Sequence, residues 1–596
     1  MDLSLSPFTI YYNHKVKDNS VYNILTIKMS QSIEQSNDNK FRPPCRASEP
    51  IINLAIINFH NNCVPVPDCL IPHDHLESSF GIANIQMRDE IPITPEIYFA
   101  FTIDRSGSMS QPGADGRTKM EHIIHTLENM LRIFHKKSGS KISFRVQSFD
   151  GDIYVDVETV EDLGQKSQLE LEAIIVKIHQ ISPGGTTNIE KALVASNNHL
   201  ITYIEQHPLT KVAHIFLTDG EISEGSTDKD FLKSLVSKSY PNIFMGYGLD
   251  HDALLLRSLA STGLHNEYRF VDNLEKAGLV YGEVIHQLLY PALNDVTLLA
   301  EGCELYNYAT NTWTTKLDIG NLVSEQHKIF HIRTICQDRS QIAIYGRTIH
   351  QTKYKEVLSN EIEFQTHALP INLDLVSKCD LTNYLFRQRT QEYLFATNAL
   401  LERQYALSRN PVDLYTKYSM LYQQLPDQTK KYEENDKIKE EKDLLKQYMK
   451  DFFKTMLDYI SSNNLKEDAF FNTLCDDVYI ALKSFDTQHG MMYAAARQTS
   501  QGRQQTYCSI PLSQQSEDDE LPPVPPRLTR GVSMSSNYLS VDKDDLDLDY
   551  LPSQRQTSGY SSIGVLKMMK EVSYHPSDPV TDLSIDLPSE LDIQLP

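Results

Sequence analysis

Phe99-Ala-Phe-Thr-Ile-Asp104-Arg-Ser106-Gly-Ser108-Met109 is the stretch on which the reading of this chain turns. Its apolar start, Ile97 to Ile103, has the continuous hydrophobicity of a strand buried on both faces. At the strand's end Asp104, Ser106 and Ser108 fall within five residues, an Asp-x-Ser-x-Ser cluster where a loop begins. One carboxylate and two hydroxyls are hard oxygen donors, the chemistry that suits an octahedral cation such as Mg²⁺. A Ser-rich turn or a helix cap would use the same residues, so the cluster gains weight only from what lies elsewhere. Pro183-Gly-Gly-Thr-Thr-Asn-Ile189 is a glycine turn opening a helical pattern, and it can carry a Thr hydroxyl toward the same point. Val212-Ala-His-Ile-Phe-Leu-Thr-Asp-Gly-Glu221 is a second apolar strand that delivers Asp219 at its carboxyl end. Three segments therefore converge on one edge of a parallel sheet, where ligands of open α/β sheets bind.

With these residues the chain resembles the von Willebrand factor type A domain, whose metal-ion-dependent adhesion site joins Asp-x-Ser-x-Ser to a separate Thr and a separate Asp. Asp104, Ser106 and Ser108 match the first element and Asp219 the last. For the Thr, the distance to the following helix, five residues before Ala192, favours Thr187 over Thr186. The resemblance implies that Ser106, Ser108 and Thr187 bind Mg²⁺ (or Mn²⁺) directly, while Asp104 and Asp219 act partly through water. With the two aspartates acting partly through water, one coordination position is expected to stay open for a partner's Asp or Glu, and Glu221 and Glu224 near the rim are expected to tune which partner approaches.

The surrounding pattern agrees with a Rossmann-like α/β domain over residues 94–289. Met120, Ile123, Ile124, Leu127, Leu131 and Phe134 recur at helical spacing. Strands are expected at Ile142 to Phe149, Ile153 to Val157, Val212 to Leu217 and Asn242 to Tyr247. Helices are expected around Leu169 to Ile178, Lys191 to Glu205 and Asp228 to Ser237. Alternation of strand and helix predicts a parallel sheet flanked by helices. Both flanks read as β-rich, 1–93 upstream and 290–375 downstream. Their strand candidates are Ile51 to Phe59, Gly81 to Met87, Val296 to Ala300, Ile329 to Cys336, Gln341 to Ile349 and Glu361 to Thr366. One β-sandwich built from both flanks, with the α/β domain inserted, is the expected arrangement; two separate β units are the alternative. The lone Trp313 is expected in the sandwich core.

Residues 376–500 carry a helical period. Leu445, Tyr448, Met449, Phe452, Phe453, Met456, Leu457 and Ile460 draw one apolar stripe, and Phe471, Leu474, Val478, Leu482 and Phe485 another. The expectation is a small bundle packed on itself, with the charged run Lys430 to Lys442 solvated between helices. Beyond it, 501–596 is an acidic, Ser- and Pro-rich tail whose composition predicts disorder. It contains Pro522-Pro-Val-Pro-Pro-Arg527, a pattern that can present a polyproline helix to an SH3-like partner.

Composition limits the function classes. With 56 basic and 79 acidic residues the net charge is −23, which disfavours nonspecific nucleic-acid binding. No apolar run is long enough for a membrane span, and the amino terminus shows no secretory signal. The eight cysteines are scattered, as expected of reduced thiols in a cytoplasmic, intracellular protein; a virion is the other compartment compatible with these features. Cys63, Cys69, His73 and His75 have donor types suited to zinc but irregular spacing. The order of β flank, metal domain, β flank and helices resembles intracellular von Willebrand A proteins related to ubiquitin ligases, though no RING or U-box cysteine series is present. Neither a phosphate loop nor His-Glu-x-x-His occurs. The reading is therefore a non-enzymatic, metal-dependent protein-interaction protein. The alternatives are a substrate adaptor in a ubiquitin or ATPase-type assembly and a metal-dependent hydrolase.

Overall fold

The computed structural model describes residues 52–58, 80–87, 96–334 and 425–505 with short interruptions, 340–348, 353–359, 382–408 and 562–573, besides four two-residue strands before residue 27. Strands β1 (Ile52–Asn58) and β2 (Phe80–Met87) precede the α/β unit. That unit runs β3 (Ile97–Asp104), α1 (Lys119–Lys136), β4 (Ile142–Phe149), β5 (Ile153–Val160), α2 (Gln168–Ile178), α3 (Ile189–Gln206) and β6 (Lys211–Thr218). It continues through α4 (Lys229–Ser234), β7 (Asn242–Tyr247), α5 (Ala253–Ala260), β8 (Glu267–Val271) and α6 (Ala277–Leu289). Every residue of β3 is buried, as its unbroken apolar run requires of a central strand covered on both sides.

The central sheet has the order β8-β7-β6-β3-β4-β5. The expectation of a parallel sheet is corrected at one edge: β5 pairs antiparallel with β4, so the sheet is mixed. Only a three-residue turn separates these two strands, too short for the crossover a parallel pair needs. Phe99, Phe101 and Ile103 meet Met120, Leu127, Leu131 and Phe134 of α1 in one buried cluster. The other face of the sheet, with Phe149, Phe216, Phe244 and Phe270, packs on α3 and α5.

Seven strands follow: β9 (Pro291–Glu301), β10 (Cys303–Asn307), β11 (Thr312–Thr314), β12 (Lys316–Val323), β13 (His327–Thr334), β14 (Gln341–Thr348) and β15 (Lys353–Ser359). β2 pairs antiparallel with β13, so strands from both flanks share a sheet of order β1-β2-β13-β10-β11, extended past β1 by two of the short amino-terminal strands. A second sheet has the order β12-β9-β14-β15. Ala83, Ile85 and Met87 of β2 meet Leu293, Val296 and Leu298 of β9 and Ile342 and Ile344 of β14 in a core between the two sheets. Residues 80 and 82 alternate to the opposite face, where Phe80 and Ile82 join the helices. Trp313 belongs to that second face as well. It packs on the helical cluster beside Tyr306 and under the Arg333 guanidinium, not in the inter-sheet core expected for it. Its strand, β11, lies at the sheet edge, where the two faces differ in what covers them.

Helices α7 (Thr382–Ser408), α8 (Leu425–Ser462), α9 (Ala469–Ser484) and α10 (Gly490–Arg503) form the carboxyl-terminal helical region. Both apolar stripes are largely buried, through Met449, Phe452, Phe453, Met456, Phe471, Leu474 and Val478, but Tyr448 of the first is exposed. Two expectations change. Lys430 to Lys442 does not link helices but is the first half of α8, because Glu and Lys are good helix formers and Pro426 sits in the first turn, where its missing N–H costs nothing. Nor does the bundle pack on itself alone. Its central helix α7 buries Arg387, Gln388, Arg389, Gln391, Glu392 and Asn398, which bond outward to neighbouring units as well as inward. Gln388 reaches His331 of β13 at 2.7 Å, Arg257 of α5 bonds Glu402 at 2.7 Å, and Tyr493 of α10 meets Phe270 edge to face.

The tail is corrected more sharply. α10 runs to Arg503, and Ile563–Ser573 forms a further helix, α11, docked on α6 and α1. Composition averaged over 501–596 hid a short amphipathic segment whose Val565, Leu566, Met568, Met569 and Val572 are all buried. The docking is close because α6 offers Gly278 and Gly282: a Cβ on Gly282 would lie 2.5 Å from the Met569 Cα, and one on Gly278 2.7 Å from that of Ser573. Asn129 donates to the Val572 carbonyl at 2.8 Å, and the Gly564 N–H donates to Glu325 at 3.1 Å, so both ends of α11 are held. The SH3-like motif at Pro522 to Arg527, the Cys63, Cys69, His73 and His75 group, and Glu361 to Thr366 lie outside the described residues.

Candidate metal site at the carboxyl edge of the central sheet

β3 and β6 are parallel neighbours, with Leu217 opposite Ile103, so their carboxyl ends carry Asp104 and Asp219 to adjacent places on one edge. The Ser106 N–H donates to Asp104 Oδ1 at 2.8 Å, which folds the chain back into a single 3-10 turn, Gly107–Ser110. This turn sets the Ser106 and Ser108 hydroxyls 3.0 Å apart, and Ser108 Oγ donates to Asp219 Oδ1 at 2.7 Å. The second loop is tied to the first through its backbone, Gly184 N–H to the Arg105 carbonyl at 2.7 Å and Gly107 N–H to that of Gly185 at 3.2 Å. Gly185 has φ +80°, and a Cβ there would meet the Asp150 carboxylate at 2.9 Å, so only glycine makes this crossing. Thr187 follows, 4% exposed.

All five candidates, Asp104, Ser106, Ser108, Thr187 and Asp219, are thus gathered. Gly220 shows how closely: a Cβ on it would sit 3.4 Å from Ser108 Oγ and 3.5 Å from Thr187 Oγ1, so hydroxyls from two distant loops border one small space. Two carboxylates and three hydroxyls are the donor set a hard divalent cation takes, and they fit Mg²⁺ or Mn²⁺ by chemistry. Asp104 and Asp219 are completely buried. Burial pushes the Asp104 carboxyl up to about 6, against the hydrogen bonds from Thr218 Oγ1 (2.6 Å) and Ser106 that stabilise its charge.

Two participants, Thr218 and Lys119, were not anticipated from sequence, and a third, Glu224, has a role besides the one expected. Thr218 anchors Asp104 from the neighbouring strand. Glu224 also accepts from Thr186 Oγ1 at 2.6 Å and Asn188 Nδ2 at 3.4 Å, which holds the loop around Thr187. The Lys119 ammonium donates to Asp219 Oδ2 at 2.7 Å in a pair that is 6% and 0% exposed. Lys119 is the first residue of α1, just after a Thr118…Glu121 capping box. A cation at a helix amino terminus opposes the helix dipole, so its place there calls for a carboxylate partner. The Thr-x-x-Glu box was the available signal: it fixes the helix start and so puts Lys119 at the sheet edge. His122, on the same helix, is buried.

An open α/β sheet with its candidate ligands at the carboxyl edge defines a Rossmann-like binding domain. Residues 99–282 match the von Willebrand factor type A domain family, and this unit is a von Willebrand factor type A domain. Domains of this kind are generally protein-interaction modules, and many bind a metal ion at the adhesion site. Among curated proteins none matches the chain. Similar solved structures include a von Willebrand factor type A protein from Catenulispora acidiphila, at 13% identity and TM-score 0.40, covering 61% of this chain and 84% of that one. The ArnB paralog VWA2 from Sulfolobus acidocaldarius is 14% identical with TM-score 0.38, covering 76% and 98%. Proximal thread matrix protein 1 from the mussel byssus, described with a zinc-occupied MIDAS motif, is 15% identical with TM-score 0.27, covering 35% and 50%.

Among the described residues no helix is long and apolar enough to cross a membrane, and no group of three or more His, Cys, Asp or Glu is placed to hold a metal. The adhesion-type set is of a different kind, with two carboxylates and three hydroxyls.

Proposed function

We propose that this protein binds a protein partner through a divalent cation, Mg²⁺ or Mn²⁺, held by Ser106, Ser108 and Thr187 with Asp104 and Asp219 behind them, and that a partner Asp or Glu completes the coordination. The observation that carries this reading is the convergence of hydroxyls from two separate loops beside two buried strand-end carboxylates. The cation would supply the positive charge on which a partner carboxylate docks. Asp219 is already engaged on both oxygens, by Ser108 and Lys119, which favours its acting through water and leaves the cation electrophilic. We read the site as binding rather than catalytic, since the hydrogen bonds to its two carboxylates come, among the described residues, from hydroxyls, a backbone amide and one ammonium that each serve to position them. A reducing, intracellular compartment is part of the proposal, supported by Cys303 and Cys475, which are buried single thiols.

Calorimetric titration of the full chain with MgCl₂ and MnCl₂ tests the metal step. One site per chain is expected, lost in Asp104→Ala and weakened in the milder Thr187→Val. A partner recovered in Mg²⁺ should dissociate on chelation. Absence of metal binding in the folded protein, or partner binding indifferent to chelator and to both variants, refutes the reading.

A further inference from the structure

A cavity of about 430 Å³ lies where the β8 edge of the α/β unit, strands β12 and β13, and the end of α10 come together. Lys328, Glu267, Arg503, Gln287 and Gln505 are among the side chains that line it. The carboxylates of this junction are already matched, Asp318 of the lining by Lys316 at 3.7 Å. Glu267 pairs with Arg269 at 3.0 Å and with Arg503 at 2.9 Å, and Glu283 pairs with Arg269 at 2.9 Å. Gln505 also leans on Glu267, at 3.3 Å. Arg503 is fixed further by the Tyr308 hydroxyl and the Asn266 carbonyl.

Lys328 is the residue this network does not satisfy. It is 8% exposed, lines the cavity, and has no hydrogen bond or ion pair among the described residues. Burial draws its ammonium down to about 8, with Glu267 and Glu283 pulling the other way and Arg503 and Arg269 adding to the repulsion. At neutral pH it is still charged. A buried ammonium without a bonded counter-ion is a costly arrangement, and a purely structural role is poorly served by it, because Arg269 and Arg503 already neutralise Glu267 and Glu283. Over the lining and the pair behind it, Lys316, Lys328, Arg269, Arg387 and Arg503 stand against Glu267, Glu283 and Asp318, which leaves positive charge in excess beside a space of ligand size.

We propose that this junction cavity binds a small anionic molecule through a carboxylate or phosphate group, with Lys328 as its counter-ion and Arg503 beside it. The site is separate from the metal edge of the sheet: it opens where Pro241 and His265, at the opposite ends of the strands, face β12. It joins three structural units, so an occupied cavity ties them together.

Citrate and pyrophosphate are suitable probes for the two head groups, titrated into the full chain in excess chelator and at matched ionic strength so that metal capture plays no part. Saturable binding of at least one probe is expected, with a saturable rise in Tm. Lys328→Met should lower that probe's affinity by about 10- to 100-fold, the range of a charge-assisted bond. Without probe, the same variant should melt no lower than the native protein, since it removes an unmatched buried charge. Three results overturn the proposal: no saturable binding of either probe, equal binding by Lys328→Met, or a probe-free variant that melts well below the native chain. General salting effects are separated from the site because they persist in the variant.

Discussion

Replacing Lys119 by methionine should tighten metal binding and, at the same time, weaken the metal-free protein. The native site holds two buried carboxylates and one buried ammonium, the latter 2.7 Å from Asp219 Oδ2. Lys119 therefore cancels one of the two negative charges a cation would feel. At an effective dielectric of ~20, unit charges on the order of 5 Å apart interact by about 3 kcal/mol. Removing that repulsion corresponds to an affinity gain of roughly 150-fold, and relaxation of the freed Asp219 reduces it toward 10-fold. The metal-free variant bears the opposite effect. Asp219 keeps its burial and its bond from Ser108 but loses its counter-ion, a change that typically costs about 3–5 kcal/mol. Calorimetry with MgCl₂ and MnCl₂ measures the first quantity, and Tm in chelator the second. The variant should melt lower than the native chain in chelator and recover more on adding metal. An unchanged or weaker affinity in Lys119→Met would show that the lysine is a scaffold for Asp219 rather than a built-in competitor of the cation.

Other consequences are open to measurement. Gly282→Ala should destabilise the protein, although alanine is the better helix former by about 1 kcal/mol, because its Cβ would lie 2.5 Å from the Met569 backbone; hydrogen exchange should then rise over 563–573. His214, 1% exposed and bonded to Asn242 and Thr102, is pushed down to about 4 by burial. Its folded value lies below the unfolded one, so its contribution is intact above about pH 6.5 and is lost as pH falls toward 4, by up to about 3 kcal/mol. Denaturant melts across that window should show a smaller acid slope in His214→Gln, and an equal slope would contradict the assignment. Phe452→Ala should remove about 3–5 kcal/mol from the helical region, and the emission of the single tryptophan, Trp313, should shift to the red in the same transition; a Trp313 signal that stays with the sheets would refute its packing on the helices.

The central sheet was legible because its signals are local and strong. Ile97 to Ile103 and Val212 to Leu217 are apolar throughout, each ends in an aspartate, and the structure sets those aspartates side by side. The same locality explains the gaps. α5, β8 and α6 were not foreseen; β8, Glu267-Tyr-Arg-Phe-Val271, carries two charged residues whose burial is intelligible only through Glu283 and Arg503, far along the chain. Lys119 reads as a surface charge until Asp219 is placed beside it, 100 positions away. α7 has so many polar residues that its central position depends on partners in three other units. The docked helix α11 was lost for another reason: eleven amphipathic residues vanish in the average of a polar tail, and their complement, Gly278 and Gly282, signals nothing until a helix lies against it.

The pairing of β2 with β13 bears on the order in which the chain can fold. Asn84 and His327, bonded across these strands, are 243 positions apart. Closing a flexible loop of that length costs about 5 kcal/mol in chain entropy, which two strands alone recover poorly. If the α/β unit folds first, β3 and α6 bring both ends of the intervening chain into one compact body and most of that loop disappears. During synthesis β2 can pair with β1 but emerges before its other partner β13 exists, so one edge of Phe80 to Met87 stays open until the whole inserted unit has been made. The sheet at the base of the protein is thus a late event, and the interval before it closes is when the nascent chain is most exposed to misassociation.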